Sequence, residues 1–359
     1  MKLFNYLKLS FLTGASKTIV VSVITLILLP LIINTIGIER YALIAITMLF
    51  GGSVVFIDFG ISKAVTLLLG KSENQKTKNE IVSDVFLLTG FLLIFISLLC
   101  FSLIYFKIPI LGNSISVSKN LQHYIIFSGA LTLFILMLNN LFISILESYL
   151  LNHYVNICHA ITSILFNSFL FITGFLFTSD FILVSVPFVS FATISIFYLY
   201  IIYKKTDIRL VKPSILRLNR VFPVSIKFFA ISVINTIAVP INKYLLLMLS
   251  GDLTIIGLYE LGFKISLLAN SFLNSVAQPL FGVFSNYKNN KLQAFIVAKK
   301  VSIIIFFMYF FGVLIFIFVG EYICQLIDTS NSVLLFKISL AMIVFIGFTS
   351  ISEPFYRAF

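Results

Sequence analysis

Val301–Gly320 reads VSIIIFFMYFFGVLIFIFVG, a run of twenty residues without a single charge. At 1.5 Å per residue, a helix of that length crosses the roughly 30 Å hydrocarbon layer of a bilayer. A membrane barrel would instead show short segments of alternating apolar and polar residues. Outward from this run the same texture repeats, and ten spans are read: about 16–36, 41–69, 82–106, 121–150, 154–177, 182–203, 223–250, 254–285, 301–320 and 333–352. The expected fold class is therefore an all-α integral membrane protein of about ten transmembrane helices. Composition agrees: 60% of the 359 residues are hydrophobic and 11% are charged, too few charges to cover a water-soluble surface. Ile, Lys, Asn and Phe are abundant and Trp is absent, which suits an AT-rich bacterial genome. Tyrosines near many span ends, among them Tyr41, Tyr154 and Tyr203, supply the interfacial anchors.

The net charge of +12 does not point to nucleic acid, because the cations sit in short connectors between spans. One side of the membrane receives Lys2 and Lys8, then Lys71, Lys76 and Lys78. The same side holds the run from Lys204 to Arg220, the group Lys288, Lys291, Lys299 and Lys300, and finally Arg357. The other side receives only Arg40, Lys107 and Lys119, together with the acids Asp180, Asp252, Glu321 and Asp328. This bias places both termini in the cytoplasm.

An internal repeat divides the spans. Lys17, Ser22-Val23-Ile24 and Pro30 recur as Lys227, Ser232-Val233-Ile234 and Pro240, each 210 positions later. The expected organisation is two parallel-repeat bundles: residues 1–203 form a six-helix bundle, 204–222 a basic cytoplasmic linker, and 223–359 a C-terminal bundle of four helices. Pro30 and Pro240 occupy matching places and are hinge candidates, a proline in a membrane helix giving a bend or a pivot.

Enzyme motifs are scarce, and the chain is read as a non-enzyme without cofactor or metal. Gly70-Lys71-Ser72 has the end of a phosphate-binding loop, but the glycine needed five residues earlier is Val65. Cys100, Cys158 and Cys324 lie far apart, and His123, His153 and His159 form no metal spacing. The informative residues are ionisable groups inside spans, which face a bundle interior or a wet cavity because a charge in hydrocarbon is costly. Asp58, Glu147 and Glu260 are candidates for ion coupling; Lys243, Lys264, Arg40, Lys63 and Asn242 are candidates for a substrate cavity. Five of these have a plainer reading. Asp58 precedes Phe59-Gly60 and can accept hydrogen bonds where the helix loosens. Lys63 and Glu147 can reach the inner interface, and Glu260 can pair with Lys264 one turn later.

Several stretches carry a family likeness: Asn5-Tyr6-Leu7, Gly37-Ile38-Glu39-Arg40-Tyr41-Ala42-Leu43, Ile57-Asp58-Phe59-Gly60-Ile61, Ile241-Asn242-Lys243-Tyr244-Leu245-Leu246, Gly257-Leu258-Tyr259, Gln278-Pro279-Leu280 and Phe355-Tyr356-Arg357-Ala358. With them the chain resembles the Wzx-type polysaccharide flippases, in the superfamily that includes the multidrug and toxin extrusion (MATE) transporters and lipid II flippases. The resemblance implies two six-helix bundles around a central, often cationic cavity; ten of those twelve spans are read here. It also implies the cargo, an undecaprenyl-pyrophosphate-linked oligosaccharide moved to the periplasmic leaflet of the bacterial inner membrane, with other glycan-assembly membrane proteins as possible partners. A cation-coupled drug exporter of the same fold and a membrane glycan polymerase are the rival readings. The polymerase should carry a large external loop, whereas the longest external connector, 107–120, holds only Lys107 and Lys119 as charges.

Overall fold

The computed structural model describes residues 2–52, 58–105, 118–236, 238–250, 252–277 and 291–358. Every regular element among them is helical: α1 (Lys2–Ile36), α2 (Ile38–Gly52), α3 (Ile61–Lys71), α4 (Gln75–Tyr105), α5 (Lys119–Ser148), α6 (Asn152–Leu176) and α7 (Asp180–Lys205). A 3₁₀ turn at Ile215–Arg220 follows, then α8 (Phe222–Thr236), α9 (Ala238–Ser250), α10 (Leu253–Ala277), α11 (Lys291–Ile327) and α12 (Ser332–Ala358). Seven described helices contain stretches long and apolar enough to cross a membrane, and Ile241–Ser250 and Ser332–Gly347 are shorter apolar helices. The chain is an all-α, multi-pass membrane protein. The end of the eighth expected span, Gln278-Pro279-Leu280, Lys288, and most of the 107–120 connector lie outside the described residues.

The second expected span, 41–69, is not one continuous helix: among the described residues α2 ends at Gly52 and α3 begins at Ile61. Residues 58–60 form a turn between the described parts of α2 and α3, with Phe59 at φ 48° and Gly60 at φ 70°. Two successive left-handed residues cannot continue a right-handed helix. Glycine is required at position 60 for a second reason: a Cβ there would stand 2.5 Å from the Ser225 carbonyl oxygen and 2.6 Å from the Phe229 amide nitrogen. The backbone of α8 thus lies directly on this bend, with the rings of Phe59 and Phe229 5.0 Å apart.

The chain forms two compact units, residues 39–256 and residues 1–38 with 257–359. They are divided differently from the repeat halves, since α8 and α9 belong to the first of them. In that unit α5 is the central post, packing on α3, α4, α6 and α7. Leu141 and Ile145 meet Ile61, Val65, Val82 and Val85 on one side, and Phe142 and Leu146 meet Val155, Ile194 and Tyr198 on another. Ala42, Ala45 and Ile46 of α2 pack with Ile125, Val184, Leu247 and Ile256. Polar side chains also knit α5 to α7. Asn139 donates to the Phe191 carbonyl at 3.0 Å and accepts from the Ser195 hydroxyl at 2.6 Å, and Ser128 donates to the Val184 carbonyl at 2.9 Å. Small polar residues of this kind join membrane helices where apolar attraction between them is weak.

In the other unit α11 packs along α12 and touches α1. Gly262 lets α10 come close to Ile338 and Ser339 of α12. α1 continues as helix on both sides of Pro30. Pro240 stands in the first turn of α9, where its missing N–H has no helical acceptor in any case.

Candidate functional site

Asp58 is held at the bend. One carboxylate oxygen accepts from the Ser62 amide at 3.1 Å and the other from the Ser62 hydroxyl at 2.8 Å, so the side chain satisfies the first turn of α3 as a cap does. Lys63, the next residue on α3, is exposed. It lies within electrostatic reach of both Asp58 and Glu147, which sits in the last turn of α5. Lys63 thus stands within electrostatic reach of its neighbour Asp58 and of the distant Glu147 where α3 packs on α5. Thr66 stitches that contact, its hydroxyl 3.3 Å from the carbonyls of Ser62 and Ser144.

Lys243 is 8% exposed, four residues before the buried Leu247 of the α2–α5–α7 core, while its neighbour Asn242 is exposed. Glu260 and Lys264 are one turn apart on α10, both half-buried and within electrostatic reach of each other. Arg40 is tied down: its Nε meets Asp180 at 2.6 Å and its Nη2 donates to the Thr178 carbonyl at 2.9 Å. The pair fastens the start of α2 to the start of α7. Of the hinge candidates, Pro30 is half-buried, and the side chain of Pro240 lies outside what is described. Among the described residues no group of three or more His, Cys, Asp or Glu is placed to hold a metal ion.

Asp84 is an ionisable residue inside a span that escaped the sequence reading. On α4 it is 2% exposed and anchors the basic linker. It takes Arg217 on both oxygens, at 2.8 and 3.0 Å, and accepts from the Ser214 amide at 2.7 Å. This contact raises the Arg217 guanidinium above its ordinary pKa, chiefly through the hydrogen bonds it donates to Asp84. One turn apart along the same helix, Ser83 accepts from the Val211 amide at 2.8 Å and Asn79 from the Arg209 amide at 3.1 Å, while Gln75 donates to the Asp207 carbonyl at 2.9 Å. The signal was present as polar residues at four-residue spacing, Gln75, Asn79 and Ser83, at the start of an otherwise apolar helix.

The helix order and the ionisable groups buried in apolar helices define a polytopic membrane protein, and its fold is similar to that of solved transporters of the MOP superfamily. Over 96% of its length it superposes on 75% of the lipid II flippase MurJ in an inward closed conformation, with a TM-score of 0.78 at 16% identity. Over 97% it matches 85% of an inward-facing multidrug resistance MATE transporter of the MOP superfamily, with a TM-score of 0.72 at 13% identity. Over 98% it matches 81% of a Pyrococcus furiosus MOP-superfamily transporter described as having a binding pocket of reverse polarity, with a TM-score of 0.65 at 14% identity. At these identities the likeness establishes the fold. No curated protein sequence matches the chain. The family model described as polysaccharide biosynthesis protein matches residues 10–288, and the chain belongs to that family.

Proposed function

We propose that the protein is a flippase that carries an undecaprenyl-pyrophosphate-linked oligosaccharide from the cytoplasmic to the periplasmic leaflet of a bacterial inner membrane, with both termini in the cytoplasm. The observation that carries this reading is the burial of Lys243 within the apolar α9 of a polysaccharide-biosynthesis family member. A diphosphate head cannot enter hydrocarbon without countercharge, and a lysine kept inside a membrane helix at a cost marks a polar route. Lys243 holds the diphosphate, and Lys63 and the exposed Asn242 of the same unit line the path. Arg40 contributes less, because Asp180 already neutralises it. The lipid tail stays in the bilayer while two similar halves, joined by the basic linker, repack around the head in alternating access. Similar folds exist in inward-facing and outward-facing forms of a multidrug transporter, which supports such a cycle. Asp58, Glu147 and Glu260 are the groups to carry a coupling cation, the first two each within electrostatic reach of Lys63. Other glycan-assembly membrane proteins are the natural neighbours of such a flippase.

Complementation of a bacterial strain lacking its own flippase tests both parts. The parent chain should restore surface glycan, Lys243→Ala should not, and Lys243→Arg should restore part of it, at equal protein levels in the membrane. Failure of the parent would reject the cargo. Full restoration by Lys243→Ala would reject the site. A chain that instead lowers drug sensitivity without restoring glycan is an exporter.

A further inference from the structure

By charge alone the run from Lys204 to Phe222 is a basic linker. The structure gives it a defined face. The backbone N–H groups of Arg209, Val211 and Ser214 all turn inward to acceptors on α4. At the two ends Ile208 and the buried Val221 pack into the α3–α4–α5 core. Outward point three large apolar side chains, Leu210 at 69% exposure, Ile215 at 65% and Phe222 at 58%. Between and beside them Arg209, Lys212 and Arg220 are exposed. The Arg217 charge does not add to this face, since Asp84 takes it.

A connector that lived in bulk water would have no reason to hide its amides and show its leucine, isoleucine and phenylalanine. A segment lying in the headgroup layer has both reasons. There an unpaired N–H is costly, apolar side chains gain by dipping toward the acyl chains, and cations gain from anionic lipid. The level is right as well. The strap leaves the end of α7, a membrane-crossing helix, and next to it three lysines sit over tyrosine rings: Lys78 over Tyr149 at 4.7 Å, Lys204 over Tyr200 at 5.6 Å and Lys205 over Tyr154 at 5.8 Å. Tyrosine rings and cations of this kind belong at the membrane–water boundary. Across Lys204–Phe222 there are six cations and one acid, Asp207, so the complement is an anion-rich surface.

We propose that the strap is a docking surface for the anionic phospholipid headgroups of the leaflet at which α7 ends, held face-outward by the polar stripe of α4. The surface stands apart from the translocation reading and does not depend on the cargo.

The chain contains no tryptophan, so Ile215→Trp installs a single reporter on the outward face of the full-length protein. Reconstituted into bilayers with brominated acyl chains, the reporter should be quenched strongly when phosphatidylglycerol is present and weakly when all headgroups are phosphatidylcholine. Combining Arg209→Gln, Lys212→Gln and Arg220→Gln should abolish that difference, each removed cation lowering the strap's preference for the anionic leaflet about fivefold. All four positions are exposed, and monodisperse elution checks that the variants fold. Equal quenching in both bilayers, unchanged by the triple substitution, would overturn the proposal in favour of apolar seating alone. A reporter open to aqueous iodide and untouched by bromolipid in either bilayer would overturn it in favour of a solvent-facing or protein-facing strap.

Discussion

Gly60→Ala is the sharpest perturbation of the bend that breaks the second span. Two separable terms oppose it. The left-handed backbone at φ 70° costs a non-glycine residue about 1–3 kcal/mol. The new methyl would also stand 2.5 Å from the Ser225 carbonyl oxygen and 2.6 Å from the Phe229 amide. Both atoms are backbone of α8 and cannot rotate away, and such overpacking adds about 1–3 kcal/mol. The total is about 2–6 kcal/mol. Two other glycines isolate the terms. Gly37, which closes α1 at φ 77° with its amide on the Ile33 carbonyl, has open space where a Cβ would go. Gly37→Ala therefore pays the left-handed strain alone, about 1–3 kcal/mol. Gly90, inside α4, also has open space and no unusual backbone, so Gly90→Ala should be neutral or stabilising by about 0.5–1 kcal/mol. Thermal unfolding followed by circular dichroism in one detergent should rank the midpoints Gly90→Ala at or above parent, then Gly37→Ala, then Gly60→Ala. If Gly60→Ala melts with Gly37→Ala, α8 does not press on the bend and the packing of the first unit is wrong.

Other contacts make their own tests. Asp84→Ala should release the strap and raise tryptic cleavage after Arg209 about tenfold or more, since a hydrogen bond to a charged group contributes about 1.5–3 kcal/mol; unchanged cleavage kinetics would deny the anchor. Arg40 and Asp180 are partly exposed, so a double-mutant cycle on thermal stability should return a coupling of about 0.5–1 kcal/mol, with zero coupling counting against the tie between α2 and α7. Asp328, in the α11–α12 connector, is opposed by burial, but hydrogen bonds from Ser330 and Asn331 outweigh it and hold its pKa below the ordinary value. A carboxylate with a lowered folded pKa contributes stability above its unfolded value near about 3.9, and the contribution disappears as pH falls through the folded value. Parent and Asp328→Asn should thus differ in melting midpoint near neutral pH and converge in acid; a gap that stays constant would refute the assignment.

Sequence alone determined the solvent this chain folds in. Long uncharged runs have one stable outcome in a bilayer, because helices satisfy every backbone group within themselves; local spacing suffices to read that, as in Val301–Gly320. Local reading also picked out Asp58 beside Phe59-Gly60 as a place where a helix loosens. What lies across the chain was decided only by tertiary structure. Arg40 meets Asp180 and Asp84 meets Arg217 over 140 and 133 positions of sequence, and Lys63 comes within electrostatic reach of Glu147 over 84; no periodicity encodes a partner at such a distance. Lys204–Phe222 shows the same division. Its charge was legible and its outward apolar face was not, because which way an extended segment turns depends on the acceptors another helix offers it.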